Sequence, residues 1–214
     1  MRLLLMFPTV LILSIASCTH APNSAYTPVD DAVRNTAQAD RLNRQASELM
    51  ASAPDRAETL LREALSFDLY HGPAHNNLGV LFLQQGKLYE AAGEFEWARK
   101  LLPGHPDPRL NLSLVLEKAG RIDDAIKNVQ TALEVHPGHI ASLQQLCRLE
   151  LKYTHPSIVA GSQTTSAPSR ATHGSDTQHR DDLRANLSAI ALRGESTQWQ
   201  DWAHQQLIRL NARP

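Results

Sequence analysis

The stretch "NNLGVLFLQQGKLYEAAGEFEWARKLLP", residues 76–103, decides the fold. Two amphipathic segments meet at Gly86. Before it, Leu78 and Phe82 recur at helical spacing; after it, Ala91, Phe95 and Ala98 do the same. A helix ends readily on a residue that tolerates the left-handed conformation, and glycine does so without a Cβ clash. Pro103 cannot continue the second segment as a helix. The stretch therefore predicts two helices folded against each other. Small residues at Gly79, Ala91 and Ala98 let them approach closely, and Leu78, Phe82 and Phe95 fill the space between.

Shifting the chain against itself by 34 residues brings this pattern onto its neighbours. Leu78 falls on Leu112 and Leu146, Gly86 on Gly120, and Pro103 on Pro137. Ala57, Ala91 and Ala125 share one column, and Ala64, Ala98 and Ala132 another. Gly79, Ser113 and Cys147 form a small-residue column. These columns resemble the tetratricopeptide repeat, a helix-turn-helix unit, over residues 38–153. The resemblance implies an all-α fold, a solenoid of stacked helix pairs.

The flanks are less regular. Residues 38–71 keep the second-helix columns (Ala57, Leu61, Ala64, Leu65), but Pro54-Asp55 replaces the turn glycine and the first helix looks poor. Residues 140–153 read as the first helix of a fourth unit without an adjacent second helix. Residues 155–180 are rich in Ser, Thr, Gly, Pro and His and carry too little apolar surface to order themselves. Helical periodicity returns in residues 181–212. Leu183, Leu187 and Ile190 lie on one face there, and Trp199, Trp202, Ala203, Leu207 and Leu210 on another. A solenoid needs its open end covered, so these helices are expected to fold back and cap it.

The N-terminus is organised differently. Met1-Arg2 precedes an apolar run from Leu3 to Ala16. Its 14 residues rise about 21 Å as a helix, short of the ~30 Å hydrocarbon core, which fits an export signal better than a membrane span. Ile15, Ala16 and Ser17 before Cys18 resemble a bacterial lipoprotein box. That resemblance implies cleavage after residue 17, lipid on Cys18, and membrane attachment through it. Thr19 stands where inner-membrane lipoproteins commonly carry Asp, which points to the outer membrane. Residues 18–36, with two prolines in "THAPNSAYTPVDDAVRNT", read as a flexible tether to a repeat array over 37–154.

Composition narrows the function classes. Lys and Arg number 21 against 22 Asp and Glu, so no basic excess points to nucleic acid. Aromatics are only 5%, in keeping with an Ala- and Leu-rich helical chain. There is no GxSxG elbow, phosphate-binding glycine loop, HExxH or CxxC, so neither catalytic residues nor a cofactor are expected. His71, His105 and His139 recur at the repeat boundaries. Stacked loops are displaced by roughly 10 Å, so these rings are not expected to share one metal ion. His155, His173 and His179 read as solvated loop residues, and Cys147 as a small buried side chain. The rival enzyme reading would centre on Trp199, Trp202 and His204, where no acid, base or nucleophile is seen to converge.

In the repeat family the first helices line a concave groove that holds a peptide or helix of a protein partner. The groove-facing positions here are Asn76, Val80, Leu83 and Gln84, then Leu110, Leu114, Glu117 and Lys118, and finally Gln144 and Arg148. Val80, Leu83, Leu110 and Leu114 make an apolar floor with polar edges. The family's carboxylate clamp is incomplete: Asn111 occupies one clamp position, but Asn76 replaces a lysine and Val80 an asparagine. Similar bacterial lipoproteins act in pilus assembly or as adaptors of cell-wall hydrolases, and the resemblance implies a scaffold of that kind.

Overall fold

A computed structural model describes residues 34–154 and 173–212. The apolar leader, Cys18 and most of the expected tether lie outside these residues. The described residues form nine α-helices and no strand. In chain order they are α1 (Thr36–Leu49), α2 (Pro54–Phe67), α3 (Gly72–Gln84), α4 (Leu88–Leu101), α5 (Asp107–Lys118), α6 (Ile122–Val135), α7 (Ile140–Leu149), α8 (His173–Arg193) and α9 (Thr197–Asn211). A π-helical turn, Glu150–Thr154, continues α7.

Helices α1 and α2, α3 and α4, and α5 and α6 pack as successive hairpins. Each second helix also packs on the next first helix: α2 on α3, α4 on α5, α6 on α7. Helix α8 then packs on α7 as a fourth second helix would, and α9 packs on α8 as the next first helix would. The fold is an all-α helix-turn-helix solenoid whose C-terminal helices cap its end.

Local chemistry explains the hairpins. Gly86 and Gly120 have φ of 75° and 76°. At each, the following N–H reaches back to close the preceding helix: Lys87 N to Phe82 O and Arg121 N to Leu116 O, both 2.9 Å. Both turns therefore need a left-handed residue at the same point of the repeat. The first hairpin manages without one. Ala53 N donates to Leu49 O at 2.8 Å, and Pro54 opens α2 where a missing N–H costs nothing. Helix α1, expected to be poor, is a full 14-residue helix. Asn35 caps it by accepting from Gln38 N, and the buried stripe Ala39, Leu42, Ala46 fixes it to its neighbours.

One core runs from α1 to α7, with Leu61, Leu65, Leu78, Leu81 and Phe95 among its fully buried side chains. Gly79 marks a close approach of two helices: a Cβ added there would stand 2.7 Å from Cε1 of Phe95. The next repeat carries Ser113 and Val129 in these columns, a larger residue on the first helix and a smaller one on the second. Gly79→Ala is expected to lower stability by about 1–3 kcal/mol in thermal denaturation, as overpacking does. The paired change Gly79→Ser/Phe95→Val should be less damaging than Gly79→Ser alone. Equal damage from the pair and the single change would refute the contact.

A second core joins α7 to α8 and α9. Leu143, Cys147 and Leu151 meet Leu183, Leu187, Ile190, Ala203 and Leu210, with Trp199, Trp202 and Leu207 against its edge. Both faces read from the C-terminal periodicity are thus used. Helix α8 begins at His173 rather than at residue 181, so residues 173–180 are helical and not loop. Its Leu183, Leu187 and Ile190 stripe is held by packing, and a helix so nucleated extends through residues of low propensity. His179, expected to be solvated, is half-buried; burial pushes the nearby Glu150 carboxyl up, and the His179 charge only partly offsets this.

Candidate protein-binding groove

First helices meet one another, α1 with α3, α3 with α5, and α5 with α7, more closely than second helices do. They therefore form the inner, concave side of the solenoid. Polar bonds hold them in step. Asn77 Nδ2 donates to Asn43 Oδ1 at 2.9 Å, and Asn111 Nδ2 donates to Asn76 Oδ1 at 3.0 Å. From α7, Gln145 Nε2 donates to Glu117 Oε2 at 3.1 Å, and Ser113 Oγ lies 3.4 Å away. Asn43, Asn77, Asn111 and Gln145 share one 34-residue column. Sequence reasoning missed this ladder, although its spacing was there to be read.

The predicted groove residues divide into an open set and a closed set. Val80, Leu83 and Leu114 are half-buried, and Asn76 is half-buried beside them. Gln84 and Lys118 are exposed where α3 and α5 end. Leu110 is only 9% exposed and belongs to the main core, so it supports the floor rather than forming it. Gln144 is 6% exposed, and its Nε2 has no hydrogen-bond acceptor.

Glu117 organises the far end. Arg148 Nη1 donates to its Oε1 at 2.7 Å, Arg148 Nη2 donates to its Oε2, and Lys152 Nζ stands 4.0 Å away. Burial pushes the Glu117 carboxyl up, but the bonds from Arg148 and Gln145 and the nearby charges of Arg148 and Lys152 outweigh it, leaving the group below its usual range. Two cavities are lined in part by predicted groove residues. One of about 210 Å³ is lined by Pro73, Asn76, Asn77, Leu102, His105, Asp107 and Pro108. The other, about 200 Å³, is lined by Arg148, Gln198, Trp199 and Trp202, so α9 borders the groove at Arg148.

Two of the boundary histidines stand at helix N-termini. His71 caps α3, its Nδ1 accepting from Ala74 N at 3.0 Å while Nε2 meets Asp40 Oδ1 at 2.8 Å. His139 caps α7 by position, with Nδ1 2.8 Å from Ser142 Oγ. His105 and His139 approach a common group, Asp107, at 3.5 and 3.3 Å. They face opposite oxygens of that carboxylate, and among the described residues no group of three or more His, Cys, Asp or Glu side chains is arranged to hold a metal ion.

His75 went unassigned in the sequence and is the most deeply embedded of these rings. It is fully buried, with Nε2–H donating to Leu69 O at 2.8 Å and Nδ1 2.6 Å from Glu94 Oε2. Its ring stacks on Trp97 at 5.6 Å. On the other side of α7, burial raises the thiol of Cys147 far above its usual value, with Glu150 adding to the effect, so it is an inert core group. His204, the centre of the rival enzyme reading, is exposed on α9.

Comparison with known proteins agrees with this architecture. Residues 82–149 match the family model described as "Tetratricopeptide repeat". No curated protein sequence matches the chain. Among solved structures, the Sgt2 TPR domain from Aspergillus fumigatus aligns with a TM-score of 0.56 at 18% identity, covering 69% of this chain and 99% of that one. A crystal structure of MamA aligns at 0.54 and 16% identity, covering 74% and 78%. The first TPR of Spaghetti (RPAP3), bound to an HSP90 peptide, aligns at 0.54 and 14% identity, covering 57% and 98%. At these identities the likeness concerns the fold, which is the tetratricopeptide-repeat solenoid.

Proposed function

We propose that the chain is a membrane-anchored scaffold that holds another envelope protein in its concave groove, in the assembly of a pilus, secretion or cell-envelope complex. The observation that carries the groove reading is the run of Val80, Leu83 and Leu114, half-buried apolar side chains lying between polar ones on successive first helices. Such a surface suits the apolar anchors of an extended or helical segment. The peptide-bound structural relative supports a protein ligand in a fold of this kind.

Anchoring rests on the sequence around Cys18. Several acyl chains there would give stable attachment to the outer membrane, and tethering would raise the effective concentration of a partner. Replacing Cys18 by Ala is expected to leave an unlipidated precursor, read as a mobility shift and loss of label from a fatty-acid analogue, with the far-ultraviolet spectrum unchanged. Label retained on that variant would sink the anchor.

For the groove, Leu114→Arg is the informative change, because Leu114 is half-buried whereas Leu110 supports the core. It should abolish co-purification of the partner with little change in melting. A partner retained in full would move binding elsewhere.

A further inference from the structure

We propose that the α9 end of the groove is a pocket for a C-terminal aromatic residue, its ring against Trp199 and Trp202 and its carboxylate facing Arg148. This rests on the groove reading and adds the chemistry that its far end selects. Helix α9 occupies the step after α8 that a further first helix would take, which brings its N-terminal turns to the side of the solenoid where Arg148 stands.

The cavity these residues share, about 200 Å³, has room for one large side chain rather than a length of helix. Trp199 and Trp202 are half-buried, with ring centroids 5.2 Å apart and planes at 83°. Perpendicular indoles offer an edge and a face to a third ring, an arrangement aromatic groups favour. Arg148 adds a weakly hydrated planar cation that stacks readily on aromatic rings.

Charge selects the rest of the ligand. Arg148 is held through both terminal nitrogens by Glu117, and Nη2 also donates to Gln145 Oε1, so its orientation is set in advance. Arg148 and Lys152 lean on the same carboxylate, which leaves this trio with one positive charge in excess. A cavity sized for one ring, with the Arg148 guanidinium in its wall, matches a residue that carries both ring and carboxylate. The last residue of a peptide chain does so when it is aromatic. The pocket lies on α7 and α9, away from the incomplete clamp positions Asn76, Val80 and Asn111.

The test uses the full ¹⁵N-labelled chain in mild detergent, with the three indole N–H resonances as reporters. The probes are N-acetyl-phenylalanine, its neutral amide, and acetate. The acid should shift the Trp199 and Trp202 signals but not that of Trp97, and bind at least tenfold more tightly than the amide. Acetate should shift none. Trp202→Ala and Arg148→Gln should each weaken the acid tenfold or more while keeping the wild-type spectrum elsewhere, and Leu114→Arg should leave its binding unchanged. Equal affinity for acid and amide, or no shift at Trp199 and Trp202, overturns the proposal. Absent shifts with the partner still lost on Leu114→Arg would overturn this pocket and leave the groove standing. Acid binding in a protein whose partner ignores Leu114→Arg would uphold the pocket and overturn the groove.

Discussion

A chain ending at residue 154 is expected to lose cooperative melting, and to aggregate at concentrations where the full chain stays dispersed. The cut removes α8 and α9 and uncovers the face of α7 that carries Leu143, Cys147 and Leu151, all buried at 5% exposure or less. Each large aliphatic side chain contributes about 1.5–3 kcal/mol when buried, so the two leucines alone account for roughly 3–6 kcal/mol. That is a large fraction of the ~5–15 kcal/mol by which a domain is stable. Calorimetry with light scattering on residues 18–154 against 18–214 would measure it. Unchanged melting would show that α8 and α9 are a separate element rather than the end of the core.

The second large effect concerns His75. Changing it to Leu removes the ring that links Glu94 to Leu69 O, and Glu94 has only 12% of its side chain exposed. Removing one partner from a buried, hydrogen-bonded pair typically costs about 3–5 kcal/mol, because the other keeps its desolvation penalty. For a domain of this size that lowers the melting temperature by on the order of 10 °C or more. Adding Glu94→Leu to His75→Leu should recover part of the loss, since the two sites are coupled. A single change costing no more than ~0.5 kcal/mol, typical of a surface site, would show that the pair does not hold α3 to α4.

Much of the fold was legible because the repeat is written in residues whose backbone or size requirement is strict. Gly86 and Gly120 mark left-handed turns, and Gly79 marks a close helix approach. The C-terminal cap was legible from two apolar stripes and the need of a solenoid end for cover. Helix α1 was not, because its stability comes from the neighbours of Ala39, Leu42 and Ala46 rather than from its own propensity. The start of α8 was hidden for the same reason.

The candidate groove was read less completely. Family positions located the half-buried Val80, Leu83 and Leu114, but burial depends on what packs behind a side chain. That is why Leu110 turned out to belong to the core and Gln144 to be enclosed. The Asn43, Asn77 and Asn111 column was visible as a repeat, yet a polar column says nothing of bonding until adjacent helices are placed side by side. His75 had no periodic counterpart, so only its surroundings reveal its part in the core.

Site-specific photocrosslinking in living cells tests the central claim most directly. A photoreactive phenylalanine would replace Leu114 in the groove, and Tyr89, which is 90% exposed on α4, would carry the control. A concave partner site predicts one discrete crosslinked species from position 114, lost when Val80→Arg is added, and none from position 89. Crosslinking from position 89 with none from position 114 would contradict it.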